Sequence, residues 1–501
     1  MLTLRGAALT LEDLAAIGWE RRPVALAEEA RTRLRAARAA LEGLLASGAA
    51  VYGVNTGFGK LADVRVAPSE LSALQTNLVR SHACGVGPAL SEAEVRCMLA
   101  LRANALAVGA SGVRPVVVEK LLELLRADVV PLVPEKGSVG ASGDLAPLAH
   151  LALVLIGEGE AYVAGARLPG AAALERAGLA PLRLESKEGL ALLNGTQAML
   201  AVGGLALARA ERLAQLADVA GAMSLEALRG TPVAFDARIQ ALRPHPGQAA
   251  AAAHLRELLE DSEIRRSHLK NDPRVQDAYS LRCMPQVHGA VRDVLRHGRE
   301  TAEIETGSAT DNPLLCAGDS LEVVSGGNFH GAPLAFAYDA AAIALVSLSS
   351  MVERRIDRLV NPDLNEGLPP FLTAHAGVAS GFMIAQVSAA AVLNESRILA
   401  HPASADNTPT SGGKEDHVSM GMTAALKLRQ IADNLESLLA IELLAAAEGL
   451  EYRLPLRPGR GVRRAHEIVR AHAARLAADR PLAPDIAALA AAIRAQAFAG
   501  L

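Results

Sequence analysis

The sequence predicts a mainly α fold, a central bundle of long helices with a mixed N-terminal region. Three observations carry this. Hydrophobic residues make up 51% of the 501-residue chain and aromatics only 3%. The core is therefore built from Ala, Leu and Val, and the density of Ala favours close-packed helices. Prolines are widely spaced in the second half, with none between Leu182 and Thr231, Gln286 and Asn312, Leu334 and Asn361, Phe371 and His401, or Thr410 and Leu454. In the last window Ala424, Leu428, Ile431, Leu435 and Leu438 recur at helical spacing, while Lys427, Gln430, Asp433 and Asn434 take the other side.

Along the chain, residues 1–188 read as the mixed region, more broken and richer in Gly and Pro. Short strands are expected near Val51 to Val54 and around Ala161 to Leu168, where Gly165 marks a hairpin turn. Asp144 is placed as the N-cap of a helix from Leu145 to Ile156. Residues 189–454 form the expected long-helix bundle. Several of its helices are apolar on more than one face, which predicts a core completed by other subunits. The most apolar span, Ala335 to Val352, contains Asp339 and runs into Glu353-Arg354-Arg355, which favours a buried helix over a membrane crossing. Residues 455–501 read as a shorter helical tail.

A formal net charge of -4 gives no electrostatic case for nucleic acid or an anionic membrane as partner. The Arg-rich stretch Arg453 to Arg470 lacks interleaved aromatics and reads as a solvated surface. Cys84, Cys97, Cys283 and Cys316 show no CxxC pairing, so neither a zinc site nor a disulfide framework is indicated, and no metal is expected. Reduced thiols fit a cytoplasmic enzyme. Asp13, Glu20, Arg21 and Arg22 interrupt the N-terminal apolar residues, unlike a secretion signal.

The most informative stretch is Gly137-Ser-Val-Gly-Ala-Ser-Gly-Asp-Leu-Ala-Pro-Leu-Ala-His150. Because Gly143 has no side chain, its amide nitrogen can approach the Ala141 carbonyl closely enough to close a five-membered ring. Loss of water from that ring, and of the Ser142 hydroxyl, leaves a methylidene electrophile. The bland alternative is a serine turn before a helix. Other reaction classes fit less well. Gly140-Ala-Ser142-Gly-Asp144 misses the G-x-S-x-G nucleophile elbow at its last position. Gly53 to Lys60 misses the phosphate-loop spacing, with Leu61 in place of Ser or Thr. A non-catalytic helical scaffold needs no electrophile.

The Gly137–His150 run resembles the signature of the aromatic amino acid ammonia-lyases, whose prosthetic group is 4-methylidene-imidazol-5-one (MIO). Further stretches resemble the histidine-specific pattern of that family: Tyr52-Gly-Val-Asn-Thr-Gly57, Ser81-His82, Asn194-Gly-Thr-Gln197, Gln276-Asp-Ala-Tyr279-Ser-Leu-Arg282, Ser325-Gly-Gly-Asn328-Phe329-His330 and Glu415-Asp-His417-Val-Ser-Met420. One departure is Gly412-Gly413-Lys414, where many relatives carry Ala-Asn-Gln. The resemblance spans roughly residues 50–425 and implies a fumarase/aspartase-like homotetramer with each active site shared among three subunits. It implies that MIO forms from Ala141, Ser142 and Gly143 with no external cofactor. It also implies that Asn194 supports ring formation and holds the cofactor oxygen, and that Tyr52 is the first choice to remove the β-proton, with Tyr279 contacting the amine or ring or serving as the base in its place. A phenol, ordinarily near ~10, needs a positive environment for that task. Arg282 is expected to clamp the substrate carboxylate with its planar fork, and Gln276 and Phe329 to line the pocket.

Two residues are expected to select the substrate. His82 stands where phenylalanine-specific relatives carry an apolar residue, and Glu415 separates histidine from the other substrates. A carboxylate facing an imidazole accepts a charge-assisted hydrogen bond worth about 1.5–3 kcal/mol, and a phenyl ring leaves it unpaired. The structural alternatives are a helix C-terminal residue for His82 and a helix N-terminal carboxylate for Glu415. The implied reaction is deamination of L-histidine to trans-urocanate and ammonia. Tyrosine ammonia-lyase and 2,3-aminomutase chemistry use the same machinery.

Overall fold

The computed structural model describes residues 1–47, 54–56, 65–270, 272, 274–317 and 321–501. The strand expected near Val51 to Val54 and most of the Gly53–Lys60 stretch lie outside the described residues. Nineteen α-helices are present among those described. The longest are Gln197–Ala227, Met284–Thr306, Ala332–Val360 and Gly421–Glu451. Each falls within one of the proline-poor windows, apart from a single early proline in the second and third, where the missing N–H is harmless.

The chain divides into two compact units. The first comprises Met1–Ala208, Gly298–Asp339 and Pro402–Leu426. It holds all four small sheets among the described residues, including an antiparallel sheet in which Val129–Pro131 pairs with Glu160–Val163 and that strand with Ala166–Pro169. The hairpin turns at Ala164-Gly165, both with positive φ, as the glycine foretold. The second unit comprises Arg209–His297, Ala340–His401 and Lys427–Leu501 and is helical throughout its described residues. It includes the tail helices Arg460–His472 and Ala483–Arg494. Each compact unit draws on three separate stretches of the chain.

The cores are aliphatic, as the composition requires. Along the 421–451 helix Ala424, Leu428, Ile431, Leu435 and Leu438 are all fully buried. Ala332–Val360 is the one described helix long and apolar enough to cross a membrane, and 56% of its most apolar window is buried inside the protein. Other apolar side chains on the long helices face outward, among them Phe336, Ile343, Ile384, Val387 and Ile398. All four cysteines are unpaired. The Arg-rich stretch is ion-paired rather than simply solvated: Arg457 meets Glu263, Arg460 meets Glu260, and Arg470 meets Glu448 and Glu451.

Candidate active site

The Ala141-Ser142-Gly143 turn lies in the first unit, where the starts of four helices are hydrogen-bonded to it and its neighbours. Leu145–Leu155 begins directly after it, with Asp144 in the N-cap position. The Asp144 carboxylate, however, serves a different helix: Oδ2 accepts from the Met199 amide at 2.8 Å in the first turn of the 197–227 helix. Its Oδ1 accepts from Ser138 Oγ at 2.7 Å. Gly331, just before the 332–360 helix, donates its amide to the Gly140 carbonyl at 3.2 Å. Ser419 Oγ donates to that carbonyl at 2.9 Å, and Met420 N–H donates to the Val139 carbonyl at 2.8 Å, beside the start of the 421–451 helix. Each helix N-terminus carries roughly half a positive charge, so the turn sits in a positive field built from backbone. Burial raises the Asp144 pKa to about 6 despite its three hydrogen bonds.

Within the turn Ala141 is buried and Ser142 half-buried. Gly143 adopts φ +72° and forms an isolated bridge with Gly195. A Cβ on Gly143 would lie 2.2 Å from the Gly195 carbonyl oxygen, so only glycine fits. The Asp144 amide donates to that same oxygen at 2.7 Å.

Ser142 Oγ donates to Glu415 Oε1 at 2.6 Å. The other carboxylate oxygen of Glu415 accepts from Thr410 Oγ1 at 2.6 Å and Ser411 Oγ at 2.7 Å. Burial pushes the Glu415 pKa up, yet these three hydroxyls outweigh it and hold the carboxyl below its usual value, with His82 adding a smaller charge effect. Glu415 stands ahead of the 421–451 helix, in an isolated bridge with Thr410, so it is not a helix N-terminal carboxylate. Gly412, in the stretch that departs from many relatives, takes φ +65° inside a short turn that brings Ser411 onto Glu415. Thr410 and Ser411 escape a sequence reading because nothing in their spacing marks them.

His82 is the last residue of the helix Leu71–His82. Its Nδ1 lies 2.9 Å from the Leu78 carbonyl, which makes Nδ1 the protonated nitrogen of the neutral ring. Burial pushes its pKa below the ordinary histidine value. Asn194 caps the helix Glu188–Leu193 and is buried. Its Nδ2 donates weakly to the Asn312 carbonyl at 3.2 Å and Asp311 Oδ1 at 3.4 Å, and its Oδ1 is buried without a partner. An Asn194 that holds a ligand oxygen must offer Nδ2, whereas here the unused end of the amide is the acceptor. Phe329 is half-buried beside the exposed run Ser325–Asn328.

The structure therefore brings Ala141, Ser142, Gly143, Asn194, His82 and Glu415 into one unit, with Phe329 in the same unit. Gln276, Tyr279 and Arg282 belong to the second unit. There Gln276 is exposed, Tyr279 is 69% exposed, and the Arg282 guanidinium lies 4.6 Å over the Tyr279 ring on the short helix Tyr279–Arg282. Tyr52 lies outside the described residues. No group of three or more His, Cys, Asp or Glu side chains fit to hold a metal occurs among the described residues.

A family profile described as aromatic amino acid lyase matches residues 9–471. The histidine ammonia-lyase of Sorangium cellulosum (strain So ce56) is 56% identical over 502 residues, covering 99% of this chain and 98% of the relative. The crystal structure of histidine ammonia-lyase from Trypanosoma cruzi superposes with a TM-score of 0.92 at 42% identity, covering 99% of this chain and 94% of that one. Tyrosine aminomutase from Streptomyces globisporus gives a TM-score of 0.94 at 39% identity, with 99% and 97% covered. On this breadth of match, over nearly the full length, the chain belongs to the aromatic amino acid lyase family and is a carbon–nitrogen lyase.

Proposed function

We propose that this lyase acts on L-histidine, releasing ammonia and trans-urocanate, and that its electrophile is MIO formed from Ala141, Ser142 and Gly143. The observation that carries the reading is the 2.6 Å contact between Ser142 Oγ and Glu415 Oε1. It sets an ionised carboxylate, suited to an imidazole N–H, directly beside the residue whose dehydration makes the electrophile. The residues fit the group at the turn itself, where Gly143 stands in the left-handed region and its site excludes a Cβ.

The chemistry that MIO supplies is a carbon electrophile for the substrate's amine, which makes nitrogen a leaving group. This chain's own residues do the rest. Four helix N-termini stabilise negative charge at the turn. Glu415 accepts the imidazole N–H, and the neutral His82 borders the same carboxylate. Arg282 holds the substrate carboxylate by a bidentate contact, and Gln276 and Phe329 shape the pocket. Either Tyr52 or Tyr279 takes the β-proton.

The exposure of Tyr279 and Gln276, with the outward apolar residues of the long helices, supports a homotetramer whose subunits complete one another's sites. Four unpaired thiols support a cytoplasmic setting. Incubating the purified chain with L-histidine, and separately with tyrosine and phenylalanine, tests the reading. Urocanate absorbance appears with histidine alone if it holds. A β-amino acid product from tyrosine overturns it in favour of aminomutase chemistry.

A further inference from the structure

The buried groups behind Asn194 are absorbed neither by the substrate pocket nor by the turn. Lys187 Nζ is fully buried and pairs with Asp311 Oδ2 at 2.7 Å, donating also to the Asn312 carbonyl at 3.3 Å. The other oxygen of Asp311 accepts from the Asn312 amide at 2.7 Å and lies 3.4 Å from Asn194 Nδ2. Arg102, also fully buried, donates from one nitrogen to the Asn194 main-chain carbonyl at 2.7 Å and to Gln197 Oε1 at 2.8 Å. Its Nε and remaining terminal nitrogen have no partner. Lys187 itself takes φ +73°, a conformation rare outside glycine, so the fold imposes a strained backbone to deliver this ammonium.

The consequence falls on one atom. Asp311 Oδ1 and the Asn312 carbonyl are both acceptors, so they fix the Asn194 amide with Nδ2 toward them and Oδ1 away. Lys187 is the cation that grips the Asn312 carbonyl and the other oxygen of Asp311. Asn194 is followed by Gly195, the residue that bridges Gly143. We propose that Lys187, with Asp311, positions Asn194 for maturation of the Ala141-Ser142-Gly143 turn, by anchoring its amide and so holding the adjoining Gly195 against Gly143. The inference rests on the reading that this turn dehydrates.

These are positioning residues for the chain's own modification, so the readout is modification rather than turnover. The test measures intact mass, which reports the loss of two waters, on the wild type and on Lys187→Met, Lys187→Arg and Asp311→Asn. Circular dichroism and Tm are recorded for each. A misplaced supporting group slows a geometry-dependent step by large factors. The dehydrated fraction should therefore fall roughly tenfold or more in Lys187→Met and Asp311→Asn, with the helical spectrum retained. Lys187→Arg should mature in part, because it keeps the cation. Asp311→Asn preserves side-chain size, and it decides the matter if Lys187→Met fails to fold. A folded Lys187→Met or Asp311→Asn that is as fully dehydrated as the wild type overturns the proposal. A wild type that has lost no water overturns the electrophile itself, an outcome distinct from failure of the positioning role.

Discussion

Replacing Glu415 with Gln is the sharpest test of why this site selects an imidazole. In the unreacted chain Oε2 is held by Thr410 and Ser411, while among the described residues Oε1 is held by the Ser142 hydroxyl. Dehydration of Ser142 removes that hydroxyl and frees Oε1 for a substrate N–H. A hydrogen bond to a carboxylate contributes about 1.5–3 kcal/mol, against about 1 kcal/mol for a neutral pair. Glu415→Gln keeps the shape and an acceptor, so it loses the difference, about 0.5–2 kcal/mol. That is roughly a two- to 30-fold fall in kcat/KM for histidine. The Thr410 and Ser411 hydroxyls, which remain after dehydration, still favour the ionised carboxylate, so the loss should be constant across neutral pH. Residual activity on phenylalanine should be unchanged or improved, because the variant no longer strands an unpaired carboxylate beside an apolar ring. The assay is initial-rate product formation with both substrates. Equal losses on both, or a histidine loss under about twofold, refute the reasoning.

Three further outcomes follow from the geometry. Gly143→Ala meets the Gly195 carbonyl at 2.2 Å and a left-handed backbone. It should cost at least about 1–2 kcal/mol in urea unfolding and yield a chain whose intact mass shows no dehydration. Glu226 is buried and accepts from the Gly459 amide, and burial pushes its pKa up to about 7 from 4.5. The folded state therefore prefers the protonated form, and stability falls as pH rises from 4.5 through 7. Glu226→Gln should gain up to about 3 kcal/mol above pH 7 and nothing below 4.5, and an equal gain at both ends contradicts the assignment. Because the substrate's α-amine reacts uncharged, kcat/KM should climb on the alkaline side of pH 7. Burial keeps His82 neutral throughout that limb, and a flat or falling profile counts against amine attack.

The helices were legible because proline and aliphatic periodicity are local signals. Leu145–Leu155 begins and ends close to where the residues alone place it, and Gly421–Glu451 falls inside the proline-free window from Thr410 to Leu454. The turn proposed to become the electrophile stood out for a different reason: the chemistry expected of it needs small residues in immediate succession. What escaped was long-range. Asp144 reads as the cap of its own helix, yet it bonds to Met199, 55 positions away. Lys187 and Asp311 are separated by 124 residues, and only the folded chain shows that they pair beside Asn194. Thr410 and Ser411 look like ordinary loop hydroxyls until Glu415 is seen between them. Pairings of this kind depend on which surfaces meet, and neither periodicity nor spacing encodes that.

The composition and the chemistry share one cause. To aim several helix N-termini at one turn, the helices must start within a hydrogen bond of it, and bulky side chains at those starts would hold them apart. A Cβ on Gly140 would lie 2.1 Å from Ser419 Oγ, and one on Gly143 would overlap the backbone at Gly195. The contacts from Ser419, Gly331 and Met420 to the Val139 and Gly140 carbonyls exist only because the turn is this bare. A chain rich in Ala and Gly and poor in aromatics is therefore what the positive field at Ala141–Gly143 requires, beyond being a way to pack long helices. The same crowding excludes a larger residue at Gly143 and sets the backbone in the left-handed region before any covalent change. In this fold the packing that stabilises the bundle also shapes the turn proposed to become its electrophile.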